Sequence, residues 1–335
     1  MSKSRKTEPP RRGRFLETFT KNKKVKELLE FVSADRELDT QFRDGYIDVY
    51  FDGGNILKIE QRVKKDFHLS FDKFYFYDDT KTGIPKTYIQ ECLKKTNPRP
   101  EKDRKSNYPS NELSLKINKE LNRIQKEIFS ILESGDYKGY FSQVKAKMAP
   151  WIENHGRIER KKQHYISCSN REFSKDNNLV VLDIEYAVST LQPYNKCNNS
   201  QGNKKAPKID IVAANQEGQI YCIELKNSKK ADKEDSPQNI KAHKEDFDKT
   251  VGNDCKENDF TIEMAEVLKQ KQRFNLLDKD IFINTDLKPI FAIAFSGENI
   301  KDIEEFKNKY SKDFPIVEIS EIKKDNKNYL FLNLK

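Results

Sequence analysis

Residues 208–226, KIDIVAANQEGQIYCIELK, decide the fold because they consist of two apolar strands joined by a short polar turn. Gly218 suits the left-handed position of a three-residue loop, since glycine adopts a positive φ without a steric penalty. Asp210 and Glu224 lie equally far along the chain from Glu217, the centre of that loop. The stretch therefore predicts a β-hairpin in which these two carboxylates face each other.

The predicted hairpin brings together three charged side chains that suit a hydrolytic metal site. Opposed side chains in an antiparallel pair have Cβ atoms about 4.5–5.5 Å apart, so two carboxylates can share one Mg²⁺. Lys226 follows Glu224 by two residues and is predicted to lie on the same strand face. Burying such charges is costly unless they are paired or bound to metal. A metal-bound water near the Lys226 ammonium is the arrangement that hydrolyses phosphodiesters. The opposite face is predicted to point into the core through Tyr221, Ile223 and Leu225.

The Glu-x-Lys pattern alone has little specificity in so lysine-rich a chain. It recurs at Glu159–Lys161, Glu305–Lys307 and Glu321–Lys323. None of these follows an apolar strand that bears an Asp and ends in a glycine-containing turn. The alternative interpretation of the hairpin is that its two acids are ordinary edge-strand residues and that its lysine is their ion-pair partner.

The segments around the hairpin predict a mixed α/β fold. Apolar residues at helical spacing predict two amphipathic helices before it, with Ile117, Leu121, Ile124, Ile128 and Ile131 in the first and Phe141, Val144, Met148 and Trp151 in the second. Strands are predicted in NLVVLDIEYAVS from residue 178 and in PIFAIAFSG from residue 289. A helix between hairpin and last strand is predicted to present Phe260, Met264, Val267 and Phe274. Residues 314–320 and 328–334 are predicted to close the fold as a strand pair.

The N-terminal region predicts a smaller β-rich unit. A short helix near Val25–Val32 precedes residues 46–61, where Asp52-Gly53-Gly54-Asn55 separates two strands, and an aromatic run from Asp66 is predicted to extend the sheet as a meander. Pro-rich, charged sequence after it predicts a boundary. The predicted organisation is a disordered basic arm (1–13), an accessory domain with an antiparallel meander (14–96), a linker (97–112) and a larger domain (113–335).

The hairpin resembles the PD-(D/E)XK nuclease superfamily, with KIDIV at Lys208–Val212 and IELK at Ile223–Lys226. Ile209 stands where the family pattern has a proline. From about Tyr137 to Gly297 the predicted element order agrees with the family's restriction-endonuclease-like αβββαβ core. The resemblance implies hydrolysis of nucleic acid, usually DNA, with Mg²⁺ or Mn²⁺ in restriction, repair, recombination or phage defence. It implies that Asp210 and Glu224 bind the metal and that Lys226 is catalytic.

The resemblance also implies an additional acidic ligand and a phosphate-contacting helix. Glu185 is the candidate acid, with Asp183 as a hydrogen-bonding neighbour and Glu153 as the rival. On the later helix the residues predicted on the polar face, and implied near the scissile phosphate, are Lys269, Gln270 and Gln272. A solvated helix face is an equal alternative for these three.

Composition favours a polyanionic partner and excludes several other classes of site. Lys plus Arg (63) exceed Asp plus Glu (54), giving a net charge of +9. The five cysteines and four histidines show no zinc-ligand spacing, and no apolar run approaches the roughly 20 residues that span a bilayer. We expect a soluble, cytoplasmic nuclease acting on DNA rather than RNA, as a possible homodimer or with a defence-complex partner. The alternative is a nucleic-acid- or protein-binding module with this fold and no cleavage activity.

Overall fold

The structure, a computed structural model, describes residues 19, 21–43, 45–61, 67–94, 110–154, 158–187, 208–226, 239–252, 257–296, 300–325 and 327–335. The predicted basic arm (1–13) and most of the predicted linker (97–112) lie outside these residues. The described chain is a mixed α/β structure with a four-stranded antiparallel sheet and a six-stranded mixed sheet.

The first sheet is the predicted N-terminal meander with one added edge strand. Its elements are α1 (Lys23–Ala34), β1 (Asp39–Phe42), β2 (Tyr46–Phe51), β3 (Gly54–Gln61) and β4 (Phe67–Ser70), with the strands in sequential order. The predicted hairpin is confirmed: Asp52 and Gly53 both have positive φ, as a tight two-residue turn requires. The aromatic run continues the sheet only as far as Ser70, because the chain then turns into a short 3₁₀ helix at Lys73–Phe76.

Four helices follow the first sheet, and the last two share its core. They are α2 (Asp79–Thr82), α3 (Lys86–Lys94), α4 (Asn111–Glu133) and α5 (Tyr137–Asn154). The two predicted amphipathic stripes are confirmed, but α5 packs Tyr140, Val144 and Met148 against the N-terminal strands. The hydrophobic core therefore crosses the predicted domain boundary, and the sheet's aromatic side chains are largely core residues.

The second sheet contains the predicted hairpin at its centre. Its strands are β5 (Val180–Ala187), β6 (Lys208–Ala214), β7 (Ile220–Lys226), β8 (Ile290–Phe295), β9 (Ile316–Lys324) and β10 (Lys327–Leu334). The sheet order is β10-β9-β8-β7-β6-β5. Strands β5, β6 and β7 are antiparallel neighbours, β8 runs parallel to both β7 and β9, and β10 closes the predicted final pair antiparallel to β9.

The register of the β6–β7 hairpin is the predicted one. Ile211 pairs with Ile223 and Val212 with Cys222, which centres the turn on Glu217. Gly218 has a φ of 77°, so it takes the left-handed position. The face of β7 that carries Tyr221, Ile223 and Leu225 packs in one core, as predicted, and the face with Ile220 and Cys222 packs in a second core.

Three helices that the sequence analysis did not predict pack on the second sheet, one on one face and two on the other. They are α6 (Ile158–Ser169), α7 (Ile240–Lys249) and α9 (Ile300–Tyr310). The predicted helix is α8 (Glu257–Arg273), whose Phe260, Met264 and Val267 join one core as expected. The placement of Phe274 on the same face is wrong, because the helix ends at Arg273 and Phe274 packs in the core of the first sheet. None of the described helices is long and apolar enough to cross a membrane.

The turn of the hairpin gives a stability test. A Cβ added at Gly218 would lie 2.5 Å from the backbone nitrogen of Asn284. We expect Gly218→Ala to lower the free energy of unfolding in urea by about 2–4 kcal/mol, since left-handed strain adds to overpacking. Gly135 has a φ of 90° with open space around it, so Gly135→Ala isolates the strain, at about 1–2 kcal/mol. Equal losses in both variants would contradict the close packing of this turn.

Candidate functional site

Asp210 lies where the β6–β7 ladder stops. The last paired residues are Ile211 and Ile223, so the next step of the register sets Asp210 opposite Glu224. There the backbone N–H of Leu225 donates to Asp210 Oδ2 at 2.9 Å. In a regular ladder this N–H would donate to a backbone carbonyl of the neighbouring strand. The Oδ1 atom accepts a bond from Gln163 Nε2 on α6 at 3.2 Å. Two fixed donors thus hold this carboxylate in the sheet.

Glu224 is held from its own strand and from α7. Lys226 Nζ donates to Glu224 Oε1 at 2.9 Å, and His243 Nδ1 lies 3.1 Å from the same oxygen. The side chains of Glu224 and Lys226 are almost fully buried, with 8% and 7% of their surfaces exposed. Glu224 and His243 line a narrow recess against α7 whose apolar wall includes Cys222 and Phe291. The Glu224 carboxylate therefore opens onto a small recess that is also lined by the polar residues Lys208, Asp246 and Thr250.

The negative charge of Glu224 acts on the neighbouring Asp210. Burial raises the pKa of the Asp210 carboxyl well above its ordinary value, and the negative charge of Glu224 raises that pKa further. The Leu225 N–H and the Lys226 ammonium lower it again, but less. Within the described ranges, the effects that raise the pKa of Asp210 therefore outweigh those that lower it.

The other predicted acids have cationic partners of their own or lie in solvent. Glu185 has a φ of 48° and falls between the pairs Ile184–Ile211 and Tyr186–Ile209, so its backbone lies opposite Asp210. Its carboxylate lies 3.3 Å from Arg160 Nε and 3.9 Å from Lys208 Nζ. The role of Glu185 as a metal ligand stays a prediction.

Asp183 and Glu153 differ from Glu185 in their surroundings. Asp183 is fully buried, and its Oδ1 accepts a bond from the Arg43 guanidinium at 2.6 Å. The same guanidinium donates to the carbonyl of Ile184 at 2.7 Å, which ties the first sheet to β5. Asp183 therefore holds the two sheets together through a buried ion pair. Glu153, by contrast, is exposed near the end of α5.

The residues predicted on the polar face of α8 do not share one environment. Gln270 is buried, with 3% of its surface exposed, so the alternative of a solvated helix face is wrong for this residue. Gln272 donates to the carbonyls of Asp278, Lys279 and Ile281 and closes the turn after the helix. Lys269 is exposed and pairs with Glu266. The suggested phosphate contact of these residues stays a prediction.

The three look-alike Glu-x-Lys sites lack the geometry of the hairpin. Glu159–Lys161 lies on α6 and Glu305–Lys307 on α9, where residues two apart do not share a face. Glu321–Lys323 lies on a strand, but in its exposed part. The hairpin motif is therefore distinguished by burial and by its neighbouring Asp210.

The described ranges hold no group of three or more His, Cys, Asp or Glu side chains arranged to bind a metal ion. The sequence analysis missed Gln163 and His243, which contact Asp210 and Glu224, because it did not predict the helices that carry them. Each helix is strongly polar, IERKKQHYISCS and IKAHKEDFDK, so hydropathy alone gave little signal. The helical spacing of Ile240 and Phe247, which are buried on α7, was the available sign.

Comparison of the chain with protein-family models found no match, and neither the curated proteins nor the solved structures contain a match. The functional assignment therefore depends on the residues and geometry of the site.

The buried ion pair predicts that two neighbouring acids of β5, Asp183 and Glu185, contribute differently to the free energy of unfolding. Asp183→Asn leaves the Arg43 guanidinium buried without its counter-charge, so we expect it to lower the free energy of unfolding by about 3–5 kcal/mol. Glu185→Gln removes partly exposed pairs and should cost at most about 1 kcal/mol. Urea unfolding of both variants measures this. A loss for Glu185→Gln as large as that for Asp183→Asn would contradict these assignments.

The raised pKa of Asp210 predicts that its charge destabilises the folded protein. An unfolded aspartate titrates near about 3.9, whereas the folded carboxyl titrates higher. The stability contributed by its protonated form is thus complete below about pH 3.9 and is lost as the pH rises through the folded pKa. We expect Asp210→Asn to be more stable than wild type at neutral pH, in urea unfolding with EDTA present, and this advantage to shrink toward zero in acid.

The matched control is Asp280→Asn, which removes the same charge from an exposed residue. It should change the free energy of unfolding by no more than about 0.5 kcal/mol at any pH. If Asp210→Asn behaves in the same way, the pKa of Asp210 is not raised in the folded protein.

Proposed function

We propose that this protein is a metal-dependent nuclease of the PD-(D/E)XK type that hydrolyses phosphodiester bonds, with DNA favoured as substrate. The observation that supports the proposal most strongly is the hairpin itself. Half-buried Asp210 and buried Glu224 lie on adjacent strands, the Glu224 charge raises the pKa of Asp210, and Lys226 lies 2.9 Å from Glu224. Two neighbouring carboxylates beside a buried ammonium destabilise the folded protein through desolvation. The same three groups are the ones that metal-assisted phosphate chemistry uses.

The order of elements around the site supports the same proposal. Helix α6, the antiparallel strands β5, β6 and β7, the helices α7 and α8, and the parallel strand β8 follow one another along the chain, an order similar to the αβββαβ core of that family but with two helices in place of its second one. The acids lie on the two central strands of this series, as the family pattern requires. A fold-level likeness of this kind adds to the chemical argument and does not replace it.

The residues present fit one divalent cation. Asp210 and Glu224 offer hard oxygen ligands, and Mg²⁺ is commonly bound by one or two carboxylates with water and substrate oxygens completing its shell. A cation there would offset the negative charge that now raises the pKa of Asp210. Glu185, opposite Asp210 in the register of β5, would complete the set only by leaving Arg160 and Lys208. When bound, Mg²⁺ or Mn²⁺ would supply an acidified water and charge stabilisation at the phosphate.

The protein's own side chains would orient the reactants. Gln163 and the Leu225 N–H hold the Asp210 carboxylate in place, so it needs little reorganisation when substrate binds. The Lys226 ammonium would stabilise the negative charge that develops on the phosphate, and its burial makes that interaction stronger than in water. His243 would hold Glu224 in position from α7.

The charge balance supports a nucleic-acid partner, since a net charge of +9 favours association with polyanions. Cleaving both strands of a duplex needs two such sites, which a homodimer would provide. A cytoplasmic role in phage defence, restriction or repair, alone or with a partner protein, is the setting in which such nucleases act.

The proposal predicts cleavage that depends on metal and on the hairpin. The purified protein, incubated with circular DNA, linear DNA and RNA, should cleave at least one substrate with Mg²⁺ or Mn²⁺ and none with EDTA. Asp210→Asn and Lys226→Ala should each lower the cleavage rate by about 10²-fold or more, because each removes charge stabilisation at the reacting phosphate. The cleavage rates are measured by following the loss of intact nucleic acid over time on gels.

The chain supplies a matched control in Glu321 and Lys323, the same motif on an exposed strand. The double variant Glu321→Gln, Lys323→Ala should cleave at the wild-type rate. Cleavage that survives Asp210→Asn and Lys226→Ala would overturn the proposal. Binding of DNA or RNA in a mobility-shift assay, with no cleavage under any metal, would favour the alternative of a non-cleaving binding module.

A further inference from the structure

Two exposed cations border the candidate site, one on α6 and one on β6. Arg160 lies in the first turn of α6, three residues before Gln163, which donates to Asp210, so both side chains leave the helix on one side. Lys208 is two residues before Asp210 on β6 and lines the recess onto which Glu224 opens. The two cationic side chains are 44% and 55% exposed, so a ligand can reach both from solvent.

The Glu185 carboxylate lies between these two cations and offers one oxygen to each. Arg160 Nε is 3.3 Å from Glu185 Oε1, and Lys208 Nζ is 3.9 Å from Glu185 Oε2. Ion pairs that are this exposed contribute little to stability, so displacing the carboxylate costs little. A phosphodiester also carries one negative charge over two terminal oxygens, and arginine and lysine side chains are common donors to nucleic-acid phosphates. It can therefore take the place of the carboxylate.

The backbone at Glu185 is strained. Its φ of 48° lies in the left-handed region, which costs free energy in a residue other than glycine. Ile184 and Tyr186, on either side of it, pack in different cores, although a regular strand would place them on one face. Strained residues of this kind are concentrated at functional sites, where the surrounding structure holds them. The strand therefore directs the Glu185 carboxylate to the cations at the edge of the sheet instead of into a core.

Two further acids limit where a polyanion can approach. Burial is the largest cause of the raised pKa of Asp210, and the negative charge of Glu159 contributes to the same rise, so Glu159 lies near the site on α6. Asp246 lines the recess on the α7 side. A phosphate that approached past either acid would be repelled, whereas one at Arg160 and Lys208 meets two exposed cations.

We propose that Arg160 and Lys208 bind a backbone phosphate of the nucleic acid and that Glu185 occupies this place until the phosphate displaces it. The inference rests on the proposed nuclease function, since its ligand is the substrate cleaved at the hairpin. Lys208 and Asp210 are about 7 Å apart along β6, so the bound phosphate adjoins the reacting one. Arg160 and Lys208 are positioning residues that fix the register of the nucleic-acid strand at the site.

The test measures affinity for a fluorescently labelled DNA duplex by anisotropy, in EDTA and over a series of salt concentrations. The full-length double variant Arg160→Ala, Lys208→Ala should bind about tenfold more weakly than wild type near about 0.1 M salt. The slope of log affinity against log salt should fall in magnitude by about 1, because one phosphate is no longer neutralised. The matched control Arg123→Ala, Lys126→Ala removes two exposed cations from α4 and should leave the slope unchanged.

Glu185→Gln tests the displacement step, because it removes the competing charge and keeps the shape of the side chain. In the wild-type background it should tighten DNA binding by about twofold to fivefold, the strength of exposed ion pairs. In the Arg160→Ala, Lys208→Ala background this gain should vanish, because no cation pair is left to be released. A gain in affinity cannot come from misfolding. Equal gains in both backgrounds would reflect only the loss of a negative charge and would overturn the displacement.

The binding assays contain no divalent metal, so their outcome is separate from that of the cleavage test. Unchanged affinity and salt slope in Arg160→Ala, Lys208→Ala, with cleavage by wild type intact, would overturn the phosphate-binding pair and leave the nuclease function in place. The expected losses of affinity and slope in a protein that never cleaves would support the phosphate contact and contradict the nuclease function. Absence of wild-type binding to duplex DNA, single-stranded DNA and RNA would overturn both.

Discussion

The constraint on which the site depends is the end of the β6–β7 ladder at Asp210. Up to Ile211 the two strands pair regularly, and both faces of β7 are covered by apolar cores. Beyond that pair the Asp210 carboxylate satisfies the Leu225 N–H, which a backbone group would satisfy in an uninterrupted sheet. A buried N–H needs an acceptor, so the carboxylate is held inside the sheet although burial disfavours its charge.

The buried acids of the second sheet are compensated in different ways. Asp183 has the Arg43 guanidinium as its counter-charge, and the partly exposed Glu185 lies near Arg160 and Lys208. Among the described residues, the hydrogen bonds to the Asp210 carboxylate come from the neutral donors Gln163 and Leu225, while the nearby Lys226 ammonium contacts Glu224. This contrast with Asp183 and Glu185 is the physical basis for proposing a cation at the hairpin.

Helix α6 connects the two sheets at the candidate site. Gln163 contacts Asp210 of β6, and Ser167, one turn further along the same helix, donates to Asp39 of β1 at 2.8 Å. The turn of the first sheet also approaches α6 closely, since a Cβ at Gly53 would lie 2.5 Å from the backbone carbon of Arg160. The N-terminal sheet is therefore packed directly on the helix that positions Asp210.

The sequence by itself determined the local features: the β6–β7 hairpin, its register, the left-handed Gly218 and the placement of Lys226 beside Glu224. These follow from strand period and turn chemistry, which act over a few residues. Tertiary structure alone decided that α5 packs on the first sheet, that Gln270 is buried, and that Gln163 and His243 reach the acids. Those contacts join residues far apart in the chain, and polar helices such as α6 and α7 carry too weak a hydrophobic pattern to reveal their packing.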